Sequence, residues 1–311
     1  MKVTRFVLAA LAAPIAQAAP APSSKLVDRQ ARPRELINPD LYPVLQRYTR
    51  FAAASMATFI YGLGTCKSPP FKSRLVRKIS NTVTDTQVAI FQDDAAQELI
   101  VSFPGSASIQ DFGTDFNFFF KPFDDVPGCS GCQVHGGVLK AWRSVKGELV
   151  AALSELRDQQ PSYSTIIVGH SLGGGLASMA YTDLKANDVP VAAAYTMGAL
   201  RIGNPAYAAF TDHLSGASDT QLGDLLRLTH GIDGIPNLPF EPLGFQHTLT
   251  EIYEQDTKLI TGTQSPETTF RCFGQEAPDC IRNKAVGFIN QDHLVYTGVQ
   301  MTTNEQCHST D

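Results

Sequence analysis

Charge is scarce in this chain. Only 18% of its 311 residues are Asp, Glu, Lys or Arg, below the usual quarter of a globular protein. Its 25 basic and 30 acidic residues leave a net charge of −5. No basic run interleaves with aromatics, which argues against a nucleic-acid surface. Beyond the N-terminal segment, no apolar stretch approaches the ~18 residues that a membrane-spanning helix requires. Internal repeats, heptad runs and an interior Gly/Ser linker are also missing, so nothing divides the chain into tethered modules. What remains is a chain with 43% apolar residues, long enough to bury a substantial core.

The N-terminus has the layout of an address. Lys2 and Arg5 form a positive start, Phe6 to Ala16 is apolar but too short to span a bilayer, and Ala16-Gln17-Ala18 offers small residues at the cleavage spacing. Residues 1–18 are therefore expected to be a signal peptide and the protein to be secreted. Its removal takes two positive charges and leaves −7. Residues 19–37 carry four basic residues and three prolines, the composition of a leader or propeptide. A single domain is expected over 38–311.

Cysteine usage agrees with an oxidising compartment. All six cysteines lie beyond the signal, and an even count in a secreted chain implies disulfides. Sequence proximity favours Cys129–Cys132 and Cys272–Cys280, which leaves Cys66–Cys307 to join the two ends of the fold. In the chain-entropy account, closing so long a loop contributes roughly 5 kcal/mol. Cys129-Ser-Gly-Cys132 has no second close pair or His pair to complete a zinc site.

The interior alternates short apolar runs with helical ones. Val88–Phe91, Leu99–Phe103, Thr165–Val168, Val191–Met197 and Leu225–Thr229 have strand character, whereas Val138–Leu156 and Leu172–Asn187 have helical character. Such alternation indicates α/β architecture, a mostly parallel sheet covered on both faces.

Chemistry enters at Gly169-His170-Ser171-Leu172-Gly173, a Gly-x-Ser-x-Gly between an apolar strand and a helix. A nucleophile elbow needs both glycines, because side chains two residues either side of a sharply turned serine would collide. The helix that follows aims its N-terminus at the site, where the Leu172 N–H can meet developing negative charge. An acid and then a histidine should follow the serine. Asp233 stands in the loop His230–Pro236 after the strand Leu225–Thr229; Asp212, Asp219 and Asp224 have the setting of solvated carboxylates. His293, in the polar Asn290-Gln291-Asp292-His293 before an apolar helix start, is the first candidate base. His247, at the head of an alternating run, is the second, and His308 lies near the chain end.

Taken with these, Ser102-Phe103-Pro104-Gly105-Ser106, Val134-His135-Gly136-Gly137, Gly169-His170-Ser171-Leu172-Gly173-Gly174, the run Thr229–Pro239 and Asp292-His293-Leu294 resemble the secreted fungal class 3 lipases. The likeness runs from about Leu41 to Cys307. It implies an α/β-hydrolase fold with a lid helix over the site, Ser171 as nucleophile, Asp233 as acid, His293 as base and His247 as a structural histidine. It further implies the Ser106 and Leu172 N–H groups as oxyanion donors, and it agrees with the three disulfides. One departure stands out: Pro104 replaces the usual Arg of the family and brings neither a backbone N–H nor a guanidinium. Ile109, Phe112 and Phe116 recur at helical spacing, and with Phe118, Phe119, Phe120 and Phe123 they crowd fifteen residues with apolar anchors. The resemblance makes this segment the lid, for which exposing three such side chains to oil returns about 6 kcal/mol.

The implied activity is ester hydrolysis of acylglycerols at a lipid–water interface by a monomer, with no metal or organic cofactor and no nucleic-acid partner. Two rivals carry other expectations. A feruloyl esterase of the same family would bear a more polar flap, and an inactive binding protein would not retain Ser, Asp and His in this order.

Overall fold

The computed structural model describes residues 33–61, 64–106, 118–255, 264–282, 284–285 and 289–308. Its centre is a nine-stranded sheet. Along the chain the strands are β1 (Glu35–Leu36), β2 (Arg74–Asn81), β3 (Thr86–Asp93), β4 (Glu98–Phe103), β7 (Ser164–His170), β8 (Ala193–Met197), β9 (Leu225–His230), β10 (Glu251–Glu254) and β11 (Thr269–Arg271). Their spatial order is β1-β11-β10-β9-β8-β7-β4-β3-β2. The middle five, β4, β7, β8, β9 and β10, pair in parallel, while β2, β3, β11 and β1 are antiparallel flanks. A small hairpin, β5 (Phe120–Pro122) with β6 (Gln133–His135), and a second, β12 (Val295–Tyr296) with β13 (Val299–Gln300), lie outside this sheet.

Side-chain alternation along the strands sorts the core into two layers. In β4, Leu99, Val101 and Phe103 face α2 (Gly136–Gln159) and α3 (Leu172–Ala186), packing among Trp142, Leu149 and Met179. Ile100, between them, faces α1 (Leu41–Phe59) with Phe91, Val168 and Met197. The period of two that sends neighbours to opposite faces thus favours apolar residues at most positions, as in a sheet covered on both sides. Helix α1 presents Ala52, Ala53, Ala54 and Ala57 to the sheet and inserts Phe51 against Phe91, ring centroids 5.6 Å apart. Fully burying a side chain the size of Phe51 contributes roughly 2 kcal/mol relative to exposure. No helix among the described residues is long and apolar enough to cross a membrane.

The cysteines are joined as Cys66–Cys307, Cys129–Cys132 and Cys272–Cys280. The first ties the segment after α1 to the last turn of the chain. The stretch read as a leader, 19–37, overlaps the fold at its end. Glu35 and Leu36 pair with Arg271 and Phe270, Ile37 is buried, and Arg34 reaches Asp279 and Gln255. An edge strand offers unpaired peptide groups, and this segment takes them up. Residues 1–18 and residues 107–117, which include Ile109, Phe112 and Phe116 of the expected lid, lie outside the described residues.

Candidate active site

Strand β7 stops at His170 and α3 starts at Leu172, so Ser171 must turn the chain by itself. It does so at φ 59°, ψ −125°, a conformation that few residues other than glycine accept without strain. Both flanking glycines are indispensable here. A Cβ on residue 169 would stand 2.1 Å from the Gly173 oxygen, and one on residue 173 would stand 2.2 Å from the Phe103 oxygen. The Ser171 N–H donates to the Met197 oxygen at 2.8 Å, which pins the elbow to β8. Its hydroxyl is fully buried and has no hydrogen-bond partner.

After β9 the chain enters the acid loop. Asp233 is fully buried there, its N–H donating to the His230 oxygen and its Oδ1 accepting from the Ile235 N–H, each at 2.9 Å. His293 Nδ1 donates to Asp233 Oδ2 at 2.8 Å. Rather than opening a helix, His293 sits in a single 3-10 turn, Gln291–Leu294, capped by the Asn290 side chain and followed directly by β12. Val295 and Tyr296 are β-formers that pair with Gln300 and Val299, and this pairing ends the turn. Among the described residues His293 Nε2 is buried without a hydrogen-bond partner, like the Ser171 hydroxyl. Two unpaired polar atoms in a buried place are costly, and such groups call for an explanation. The structure thus brings His293 against Asp233, which holds one ring nitrogen and leaves the other bare.

Other expected residues fall elsewhere. His247 is buried and donates from Nε2 to the Pro236 oxygen at 2.7 Å, while its N–H goes to Glu276, the ion-pair partner of buried Arg201. Burial and the nearby Arg227 cation hold its imidazole well below the usual histidine range, so it stays neutral. His230 donates from Nδ1 to the Asp292 oxygen at 2.9 Å. Asp212 is a correction to the sequence analysis: it is buried, accepting from the Leu249 N–H and from Gln275, and desolvation raises it to about 6. Asp224 is likewise engaged, with Lys185 and Tyr181. Glu251, Cys272 and Cys280 converge within ligand distance of one another, but both sulfurs belong to a disulfide and cannot act as thiolate ligands.

On the oxyanion side, Leu172 is the first residue of α3, so its N–H has no partner within the helix. Ser106, three residues past the end of β4, is half-buried. Pro104 is buried, with its carbonyl against Gly173. Beside it, Met56 Sδ of α1 accepts the Gly105 N–H at 3.0 Å. Gly105 itself touches the elbow, since a Cβ there would come within 3.2 Å of the His170 oxygen and of Ser171 Cβ.

Three residues of the site escaped the sequence analysis. The Tyr296 hydroxyl donates to Asp233 Oδ2, the same oxygen that holds His293. Gly198, at φ 58° after β8, lies so close that a Cβ would meet Asp233 Oδ2, the Tyr296 hydroxyl and His293 Nδ1 at 2.8–2.9 Å. His170 touches the base directly. The available signals were a tyrosine three residues after His293 and a glycine ending a strand.

A mostly parallel sheet with an elbow serine, an acid loop after a later strand and a histidine near the chain end is an α/β-hydrolase arrangement. Residues 100–243 match the family model described as Lipase (class 3), and the chain belongs to that family. It is 33% identical over 207 residues to a secreted mono- and diacylglycerol lipase of Fusarium solani, covering 66% of this chain and 59% of that one. A lipase of Rhizomucor miehei is 31% identical over 233 residues, covering 73% and 59%. Among solved structures, a triacylglycerol lipase from Penicillium expansum superposes with a TM-score of 0.72 at 26% identity, covering 88% of this chain and all of that one. The chain spans about three fifths of the length of these curated relatives.

Proposed function

We propose that the protein is a secreted serine hydrolase that cleaves acylglycerol esters at a lipid–water interface. The observation that carries this assignment is the pair of buried, unpartnered atoms, Ser171 Oγ and His293 Nε2, with His293 fixed from behind by Asp233. In the proposed reaction, His293 Nε2 takes the Ser171 proton as Oγ bonds to the ester carbonyl carbon. The carbonyl π pair moves to oxygen, where the N–H groups of Leu172 and Ser106 would receive it. Collapse breaks the bond to the alcohol, which leaves with the proton from His293. Water then repeats the sequence on the acyl-enzyme. Asp233 keeps the imidazole in the tautomer with Nε2 bare and stabilises its charged form.

A lipid substrate is supported by large apolar side chains left exposed at the surface. Phe119 is 67% exposed, Ile232 and Leu243 are each 49% exposed, and Phe240 is exposed as well. Ile232 directly precedes Asp233, and Phe119 opens onto the β5–β6 hairpin, whose Phe120 ring stacks on Phe245 at 4.1 Å. Large apolar side chains on the rim of a site suit a partner that is itself apolar. The relatives named above as acylglycerol lipases support the same substrate class. The lid role of Ile109, Phe112 and Phe116 belongs to this proposal. Secretion is supported by the N-terminal pattern, the three disulfides and the secreted relatives.

The test pairs a fluorophosphonate probe with two substrates. Wild type is expected to be labelled on Ser171 and to hydrolyse emulsified acylglycerol faster than methyl ferulate. An unlabelled chain would make it a binding protein, and the reverse substrate order would make it a feruloyl esterase.

A further inference from the structure

His170 ends β7 and is completely buried, beside the nucleophile in sequence and against the base in space. Its Nε2 donates to the main-chain oxygen of His293 at 2.8 Å, across 123 residues of chain. Its ring lies 4.5 Å from the His293 ring, tilted by 37°. The N–H of His293 is taken at 3.2 Å by the Asn290 oxygen and again by Asn290 Oδ1. Both peptide groups of His293 are thereby tied down, one by its own turn and the other by the elbow.

This matters because of where His293 stands. A single 3-10 turn has no hydrogen-bonded ladder to hold it. A base fastened only through its Nδ1 bond to Asp233 would remain free to swing about that bond, carrying Nε2 away from Ser171. A bond from the residue adjacent to the serine removes that freedom and makes the two halves of the site move as one. We propose that His170 is a positioning residue, whose Nε2–H fixes the main chain of His293 and so aims His293 Nε2 at Ser171. The proposal rests on the assignment of Ser171 and His293 as nucleophile and base.

Two further observations agree. Burial and the adjacent His293 lower the His170 imidazole to about 3, so it stays neutral and never competes with His293 for the serine proton. Its Nδ1 is buried without a hydrogen-bond partner. If the side chain served only to fill space, that bare nitrogen would be an uncompensated loss and a phenyl ring would serve better. The donor on the other side of the ring supplies the reason to keep an imidazole.

Two variants separate donor from filler. His170→Phe keeps a ring and removes the donor; His170→Gln removes the ring and returns an N–H near the position of Nε2. On a soluble short-chain ester, His170→Phe is expected to lower kcat about tenfold or more with little change in KM, since misplacement of a catalytic group acts on the chemical step. Fluorophosphonate labelling of Ser171 should slow by a similar factor, and His170→Gln should recover most of both losses. Labelling of His170→Phe at the wild-type rate would overturn the proposal. So would equal losses in the two variants, which would make the ring's packing decisive. Should His170→Phe not fold, His170→Met, equally without a donor, takes its place in the same comparison. Failure of the wild type to label would remove the hydrolase assignment itself, whereas a labelled wild type matched by the donor-less variant removes only the role of His170.

Discussion

Replacing Gly198 with alanine should damage the site while adding a single methyl group. The new Cβ would stand 2.8 Å from Asp233 Oδ2, 2.8 Å from the Tyr296 hydroxyl and 2.9 Å from His293 Nδ1, against an ordinary contact of 3.4 Å or more. Each atom is therefore about 0.5 Å too near, and none is the loose end of a flexible side chain. Asp233 is held by Ile235, and His293 is held by Asn290 and His170. The strain is relieved by lengthening the Asp233–His293 contact or by swinging the imidazole. A displacement approaching 1 Å at a catalytic group costs on the order of 10²-fold in rate. The φ of 58° adds a left-handed penalty for alanine of roughly 1–2 kcal/mol, which shows as a modest fall in Tm. Turnover on a soluble ester should accordingly fall by one to two orders of magnitude, with KM little changed and most of the fold's stability kept. A variant that melts several degrees lower yet turns over at the wild-type rate per folded molecule would refute this, since it would show that the triad tolerates the intrusion.

Ser171→Ala should abolish hydrolysis and leave the fold intact, and His293→Ala should be comparably damaging; His247→Ala should lower Tm and spare most activity, because its ring bonds Pro236 rather than the triad. The reverse ranking of the two histidines would reassign the base. Tyr296→Phe removes one of two side-chain donors to Asp233 Oδ2 and is expected to lower kcat by about tenfold to a hundredfold through the loss of one charge-assisted hydrogen bond, worth about 1.5–3 kcal/mol; unchanged kinetics would make that contact idle. Glu254 is buried in β10, and desolvation raises its carboxyl from the ordinary 4.5 to about 7. The folded chain then holds a proton that the unfolded chain has released, so stability falls as pH rises from 4.5 towards 7, by up to ~3 kcal/mol. Glu254→Gln should flatten that fall and be the more stable protein at pH 8, and parallel Tm profiles for the two would refute it. Phe119→Ser with Leu243→Ser should reduce activity on emulsion relative to soluble ester without lowering Tm, since two exposed side chains lose up to ~2 kcal/mol each of interfacial burial; an unchanged ratio would remove them from the lipid-contacting surface.

The parts of this molecule that were legible in the sequence are those in which one local constraint dictates residue type. A strand covered on both faces is mostly apolar, and Leu99–Phe103, Thr165–Val168 and Leu225–Thr229 each fall within an observed strand. The elbow has no alternative to glycine at 169 and 173, because backbone oxygens of Gly173 and Phe103 occupy the space a side chain would take. Order along the chain then located Asp233. The candidate base was less legible: His247 heads an alternating run and His293 follows a polar stretch, and only tertiary contacts separate a histidine bonded to Pro236 from one bonded to Asp233. Asp212 was misjudged for the same reason. Its neighbours in sequence are polar, but its partners, Leu249 and Gln275, arrive from 37 and 63 residues away.

What stayed hidden is the layer behind the triad. His170, Gly198 and Tyr296 come from three separate segments and have no common spacing, and each acts by touching a residue that is remote in sequence. Met56 is the clearest case, an apolar residue of α1 that gives its sulfur to the Gly105 N–H in the loop where Pro104 stands. In the sequence it is one more core methionine, and nothing about position 56 hints at an acceptor. Its role follows from the elbow's demand that Gly105 lie flat against His170 and Ser171. In that pose the peptide N–H of Gly105 points into the layer under the sheet, where only a buried side chain can meet it. A thioether fills that space as a hydrocarbon would and still accepts a weak hydrogen bond. One side chain thus satisfies a core position and a polar group of the loop after β4 together.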